Sequence, residues 1–453
     1  GSRATMLTGL MPSQHGIHSW LQDTQLSEWP DGWYAVQEFR TLPVTLHDRG
    51  YRTAHVGKWH LGNPLRAAPG YDDWLTFALG DTLDFYDNDI IENGRQYKLT
   101  GRHIVDFFSE KAVERIAGLK GREPFFLSLW YDGPYALPPT NYGPEPRLPT
   151  YQHFAKKEFR SVPRVPVAES TIKMLQLPGC PEDLREYYWM LVRMQNDVES
   201  LANFAAQCAL VDEGVGRVDA ALRDAGLADD TLVIFTTDQG NFFGHHGIWG
   251  HAPSSVPCVL YDDIMNVPLI LKQPDAIPAG LVSDLLVGQY DLAPTITEWA
   301  GASGVSYAGS PGRSFAPTLR GEEQPDRHEA VFFEQEESRG VRTDRFAYWK
   351  RLQAAGDWWR SLGYDWDGSP VLYDMSADPG QLRDLAGDPA YGAVVAELDE
   401  RLEAFFRRHS DPKYDLWQGG AAKGSVDFPQ VYRHMHGDAW ELKAELLPAF
   451  EER

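Results

Sequence analysis

Apolar and polar positions follow two rhythms along this chain, one of two residues and one of three to four, and they alternate for roughly the first 300 residues. Arg52-Thr53-Ala54-His55-Val56, led in by Gly50-Tyr51 and closed by Gly57, predicts a short strand. From His103 to Leu119 the residues Ile104, Val105, Phe108, Ala112, Val113 and Ile116 recur mostly at three- and four-residue steps, which predicts an amphipathic helix. Pro124 to Trp130 predicts a mostly apolar strand. A helical stretch from Glu182 to Leu227 then leads into Thr231 to Thr237. That near-continuous apolar, β-branched run predicts a strand covered on both faces. Val267 to Leu271 repeats the strand signal, and Asp291 to Gly301 has the acidic start and glycine stop of a helix. Together these predict an α/β fold, a mostly parallel central sheet sandwiched by helices.

The composition turns polar at Gly321-Glu322-Glu323-Gln324-Pro325-Asp326, dividing the chain into an α/β domain, 1–322, and a smaller C-terminal α+β subdomain with a tail, 323–453. In the second part, strands are expected at Ala330 to Phe333, Gly340 to Tyr348 and Val371 to Tyr373, followed by a helix from Tyr391 to Arg408. The tail is rich in Trp, Tyr, Gly and Lys without a clear period, and no internal repeat or low-complexity tract stands out.

Charge narrows the function. Asp and Glu number 65 against 42 Lys and Arg, a formal net charge of −23, which argues against nucleic acid or an anionic membrane surface as partner. An anionic substrate therefore needs a locally basic pocket. The 453 residues, 43% of them hydrophobic, suffice for a large core, and no apolar run reaches the roughly 18 residues of a membrane span. Cys180, Cys208 and Cys258 are too few for a disulfide framework and are expected as small buried hydrophobes.

Four clusters carry polar chemistry where open sheets hold ligands, beyond strand ends. Ser2-Arg3-Ala4-Thr5-Met6-Leu7-Thr8-Gly9, followed by Pro12-Ser13-Gln14-His15-Gly16, reads as a helix start that favours an anion, or as an ordinary capped surface helix. In Gly57-Lys58-Trp59-His60-Leu61-Gly62, an extended chain would project Lys58 and His60 on one face, an ammonium beside an imidazole. A phosphate loop does not fit, because six residues rather than four separate Gly50 from Gly57. Thr237-Asp238-Gln239-Gly240 supplies hard oxygen donors suited to Ca²⁺ or Mg²⁺, or simply caps a turn. Gly244-His245-His246-Gly247-Ile248-Trp249-Gly250-His251 is a glycine-rich loop with three histidines. Zinc is the alternative there, without the His-Glu-x-x-His helix or any Cys to support it.

The order and spacing of these motifs resemble the formylglycine-dependent sulfatases of the alkaline phosphatase superfamily. The resemblance rests on Ser-Arg-x-x-x-Leu-Thr-Gly, on Gly-Tyr-x-Thr-x-x-x-Gly-Lys-Trp-His-Leu-Gly, and on Phe-Thr-x-Asp-x-Gly with a following His-Gly. It continues through Asp291 to Thr295, Gly312-Arg313-Ser314 and Arg342 to Arg345, and ends at Leu372 to Pro379. It implies a Cys, oxidised to formylglycine, two residues before Gly1, with the family's acidic metal pair also upstream; the chain as given would then be inactive, and its first residues say nothing about secretion. It further implies that Arg3 holds the nucleophile, Lys58 binds sulfate, His60 assists sulfate elimination, and Asp238 and Gln239 ligate Ca²⁺. Tyr135 stands where many members carry His, and His251 where many carry Lys. Tyr135 is thus expected as a hydrogen-bond donor and His251, as imidazolium, as a general acid, while His246 and Trp249 are expected to touch substrate. The implied substrate is a small-molecule or carbohydrate sulfate ester, and family members acting on polysaccharides are often exported to the periplasm or outside. A phosphodiesterase or phosphonate hydrolase on the same scaffold, and a non-enzymatic anion-binding relative, are the alternatives.

Overall fold

The computed structural model describes residues 1–19, 21, 32–80, 82, 84–119, 124–135, 150–177, 182–251, 255, 257–302, 304–352, 360 and 368–423. Strands β1 (Arg52–Gly57), β2 (Asp73–Phe77), β3 (Asn88–Glu92), β4 (Arg95–Leu99) and β5 (Phe125–Trp130) form one sheet in the order β4-β3-β2-β1-β5. β1 lies parallel to both β2 and β5, while β3 and β4 add an antiparallel hairpin at the edge. The sheet is therefore mixed: parallel through its middle as expected, antiparallel where Asn93 and Gly94, both at positive φ, fold the chain back.

Helices cover both faces. On one, Val56, Leu75 and Phe77 pack with Ile104 and Phe108 of the helix Ile104–Leu119 and with Ala202, Ala206 and Leu210 of the helix Val198–Asp224. On the other, Ala4 and Leu7 of the helix Ser2–Thr8 meet Trp33, Trp59, Trp74 and Ile91. The long helical stretch is two helices, Glu182–Met194 and Val198–Asp224. Asn196 at φ 63° breaks it, and Asp197 restarts it by accepting from the backbone N–H of Ser200 at 2.9 Å.

β6 (Val233–Thr236) pairs antiparallel with β9 (Leu269–Lys272), and β7 (Phe242–Phe243) with β8 (Trp249–Gly250). β6 departs from expectation. Among the described residues it joins β9 alone, and Phe235 and Ile270 remain 37% and 60% exposed, so only one face is covered. Further along, β10 (Ala330–Gln335), β11 (Ser338–Thr343), β12 (Phe346–Arg351) and β13 (Val371–Asp374) form an antiparallel sheet in that order. The run expected as one strand from Gly340 to Tyr348 turns at Asp344-Arg345 and becomes parts of β11 and β12. Leu398, Leu402 and Phe406 of the helix Gly392–His409 pack on this sheet together with Met11 and Tyr290. Cys258 is buried as expected; Cys208 is exposed, and Cys180 lies outside the described residues, as does the tail beyond 423.

Between β1 and the turn after it lies an aromatic box. The His55 ring, fully buried, sits 4.7–5.5 Å from the rings of Trp59, Tyr71, Trp74 and Trp130. Its Nδ1 pairs with Ser128 Oγ at 2.9 Å and its Nε2 with the Gly57 carbonyl at 3.2 Å. Burial pushes its pKa down from 6.5 to about 3.

Gly57 has φ 122°, and a Cβ there would stand 1.9 Å from the Trp130 carbonyl oxygen. Gly57→Ala should therefore lower unfolding free energy by about 3 kcal/mol or more in denaturant titration; a change under about 0.5 kcal/mol would contradict the close approach. For His55 the folded pKa lies below the unfolded one, so the unfolded chain binds more protons between pH 6.5 and about 3. Stability is thus lost as pH falls through that window. In calorimetry from pH 7 to pH 5, His55→Gln should show a smaller drop in Tm than the parent; equal drops would remove His55 as a cause.

Candidate active site

The parallel pairing of β1 and β5 ends with Gly57 opposite Trp130, and the Lys58 N–H donates to the Trp130 carbonyl at 2.8 Å. Two strand ends are thereby held side by side. Lys58 at the end of one then meets Asp132 just past the end of the other, Nζ to Oδ1 at 2.9 Å, with both side chains at most 10% exposed. The second Asp132 oxygen accepts from the Thr82 N–H at 3.0 Å, which fixes the carboxylate. Such a buried pair holds a charge in place, because either member alone would carry a large desolvation penalty. Tyr135 lies against the same ammonium, its ring centre 5.5 Å from Lys58 Nζ. The Gln207 side chain grips the Tyr135 backbone from both sides, accepting from its N–H at 2.8 Å and donating to its carbonyl at 3.4 Å.

A second cation comes from the helix Ser2–Thr8. Arg3 Nη1 pairs with Asp238 Oδ2 at 2.9 Å, and its guanidinium carbon stands 5.9 Å from the Trp130 ring centre. Arg3 Nε is buried and has no protein partner among the described residues. Asp238 follows β6, and the Gln289 amide donates to the Thr237 and Asp238 carbonyls at 3.3 and 3.1 Å, which pins that turn. Gln239 is exposed on the same turn.

His251 lies within the fields of both groups. Burial, opposed by the Asp238 carboxylate and aided to a lesser degree by the Lys58 ammonium, lowers its pKa from 6.5 to about 4. Its Nδ1 is shielded and unpartnered among the described residues. This differs from the expectation of an imidazolium acid: near neutral pH the ring is uncharged, because its burial outweighs the Asp238 field that favours protonation.

The remaining expectations fare unevenly. β1 ends at Gly57, and His60 at φ 50° turns away from an extended path, so alternation does not place it beside Lys58. Its Nε2 instead pairs with the Leu21 carbonyl at 2.7 Å. His246 stacks on Tyr261, with centroids 3.7 Å apart and planes 5° apart, and faces Asp263 at 3.3 Å. His245 faces the same carboxylate at 3.5 Å. Trp249 is 2% exposed and packs edge-on against Phe243. His246 and Trp249 therefore brace the loop, and neither offers a substrate a free ring face here.

Asp238 and Gln239 have the hard oxygens a Ca²⁺ or Mg²⁺ ion prefers, but they are fewer than its six to eight ligands. Among the described residues no three His, Cys, Asp or Glu side chains gather into a metal cluster. The zinc alternative also loses its geometry, because two of its three histidines share Asp263. Asp132, Trp130, Gln207 and Gln289 were not singled out from the sequence. Their only signal there was position: Trp130 ends a strand, Asp132 follows it, Gln207 lies in a long helix and Gln289 in the turn before another.

Residues 1–302 match the family described as Sulfatase, and residues 257–408 match the C-terminal region of N-sulphoglucosamine sulphohydrolase. The chain is 24% identical over 469 residues to an N-acetylglucosamine-6-O-sulfatase of Bacteroides thetaiotaomicron, covering 90% of this chain and 78% of that one. It is 27% identical over 459 residues to the N-sulphoglucosamine sulphohydrolase of Homo sapiens, covering 91% and 81%. Among solved structures, one bound to its substrate D-glucosamine-2-N,6-O-disulfate superposes with a TM-score of 0.68 at 22% identity, covering 90% of this chain and 87% of that one. A phosphonate monoester hydrolase from Silicibacter pomeroyi superposes with a TM-score of 0.61 at 19% identity, covering 92% and 87%. The family's region spans the helix that carries Arg3 and the turns after β1 and β6 that carry Lys58 and Asp238, and this chain belongs to the sulfatases.

Proposed function

We propose that this sulfatase removes sulfate from a sulfated sugar, with Arg3 and Lys58 gripping the anion. The observation that carries this reading is the convergence of two partner-held cations and a neutral His251 beyond the ends of β1, β5 and β6. Carboxylates hold Arg3 and Lys58 in place before substrate arrives, so little reorganisation is needed when charge develops on sulfuryl oxygens. Lys58 donates to the sulfate and Tyr135 borders it. His251, through its buried Nδ1 edge or the opposite nitrogen, hydrogen-bonds a sulfuryl or leaving oxygen as a neutral imidazole. His60 keeps its family role in elimination, oriented by the Leu21 carbonyl. In this reading Asp238 and Gln239 would hold part of a Ca²⁺ or Mg²⁺ site, and a formylglycine would supply the nucleophilic hydroxyl. The sugar assignment draws on relatives whose names specify sulfated glucosamine.

Three outcomes test this. The full protein, made in a host that oxidises the nucleophile's Cys, should release inorganic sulfate from glucosamine 6-sulfate or N-sulfoglucosamine faster than it cleaves a phosphodiester or a phosphonate monoester. The reverse ranking would favour phosphoryl chemistry, and ligand binding without turnover would favour an anion-binding relative. Lys58→Ala should lower kcat by about 10²–10³-fold, the usual loss for one oriented donor at a developing charge; an unchanged kcat would remove Lys58 from the site. Because His251 is already neutral above about pH 4, kcat/KM should not fall as pH rises from 5 to 7. A fall with a midpoint near 6.5 that disappears in His251→Gln would restore the imidazolium acid.

A further inference from the structure

One exposed segment reverses the charge of the rest of the chain. Residues 150–168 contain Lys156, Lys157, Arg160 and Arg164 against a single acid, Glu158, whereas the whole chain has 65 acids for 42 Lys and Arg. All four cations are exposed. The aromatic residues between them are the anchors: Tyr151 is buried, and Phe154 and Phe159 pack, together with Tyr135, against the cluster that holds Phe108, Ala202, Ala206 and Leu210. Phe159 has φ 47°, a left-handed backbone that a bulky side chain adopts only where packing holds it.

Both ends of this strip are tied to walls of the Arg3–Lys58 site. At one end the Thr150 hydroxyl donates to the Ala206 carbonyl at 3.4 Å, next to the Gln207 side chain that grips Tyr135 beside Lys58. At the other, the Ala168 N–H donates to the Gly247 carbonyl at 2.8 Å, and the Pro166 carbonyl lies so close that a Cβ on Gly247 would stand 2.4 Å from it. His251 follows Gly247 by four residues, at most about 14 Å of extended chain. The strip thus runs as a rim from the Tyr135 side of the site to the His251 side.

The charge of this rim is open to a partner. Arg160 Nε meets Glu158 at 2.6 Å with side chains 87% and 70% exposed, a contact worth little in water. No described carboxylate pairs with Lys156 or Lys157, whereas Arg3 and Lys58 inside the site each have one. A single sulfated sugar held by Arg3 and Lys58 needs none of these outer cations. A longer chain with further sulfates or carboxylates would meet them as it leaves the site, and near a protein of net charge −23 it needs such local attraction to approach. We infer that residues 153–164 form a docking rim for the anionic units that flank the scissile sulfate, so that the substrate is a sulfated oligosaccharide rather than a single sugar. In naming a sugar chain this rests on the proposed function.

Calorimetry on the full protein measures binding without turnover. The probes are a heparin-derived sulfated hexasaccharide, its desulfated and carboxyl-reduced form, hexathymidylate and glucosamine 6-sulfate. The sulfated hexasaccharide should bind most tightly, and more weakly as salt rises beyond about 0.1 M, where exposed charges are screened past about 10 Å. Lys156→Gln, Lys157→Gln and Arg160→Gln combined should weaken that binding about ten-fold, the order expected of three exposed charge contacts. The same variant should raise KM for the hexasaccharide and leave turnover of glucosamine 6-sulfate unchanged, while Lys156→Arg with Lys157→Arg should keep the parent's affinity. Equal hexasaccharide affinity in the parent and the glutamine variant, loss of glucosamine 6-sulfate turnover in that variant, or tighter binding of hexathymidylate than of the hexasaccharide would each overturn the inference. A protein that binds the hexasaccharide through these cations but releases sulfate from no sugar would leave the rim standing and sink the proposed function.

Discussion

The contact on which the site depends is the close approach of Gly57 to Trp130 at the end of the β1–β5 pairing. Six residues of β1 run in register with six of β5, and the last pair is so tight that no side chain fits between the backbones. Lys58 and Asp132 emerge from those two ends, so their ion pair follows from strand register rather than from loop geometry. The aromatic box sits directly behind. His55 ties Gly57 to Ser128 of β5, Trp59 lies parallel to Trp130 at 6.1 Å, and Trp130 in turn lies beside the Arg3 guanidinium. A rigid apolar block thereby orients two cations that come from distant parts of the chain.

Electrostatics sets the second constraint. A chain with a net charge of −23 repels anions at long range, yet each cation of the site is compensated by its own carboxylate. The pairing lets the charges persist in a shielded cleft, where an isolated ammonium would shed its proton. Burial keeps His251 neutral near neutral pH, against the opposing field of the Asp238 carboxylate. In the proposed reading, these two paired cations are the groups that would meet a sulfate.

Much of this was legible beforehand. The Gly57 to Gly62 motif placed Lys58 at a strand end, and Thr237 to Gly240 placed Asp238 past β6, because glycines and apolar runs mark strand ends locally. What could not be read were the partners. Asp132 for Lys58, and Gln207 behind Tyr135, lie 74 and 72 residues away in sequence, and nothing short-range signals such pairings. The antiparallel β3–β4 edge was missed because its alternation is short and polar. The resemblance implied that His246 and Trp249 touch substrate, whereas packing turns both against neighbouring rings, Tyr261 and Phe243.

The most direct test of the central claim, that Arg3 and Lys58 form a prebuilt sulfate-binding pair, is calorimetric titration of this chain with inorganic sulfate, which requires no nucleophile. Saturable binding that is lost in Arg3→Ala and in Lys58→Ala, and persists in His246→Ala, is the predicted result. Absence of sulfate binding, or binding that the two cation variants leave intact, would contradict it.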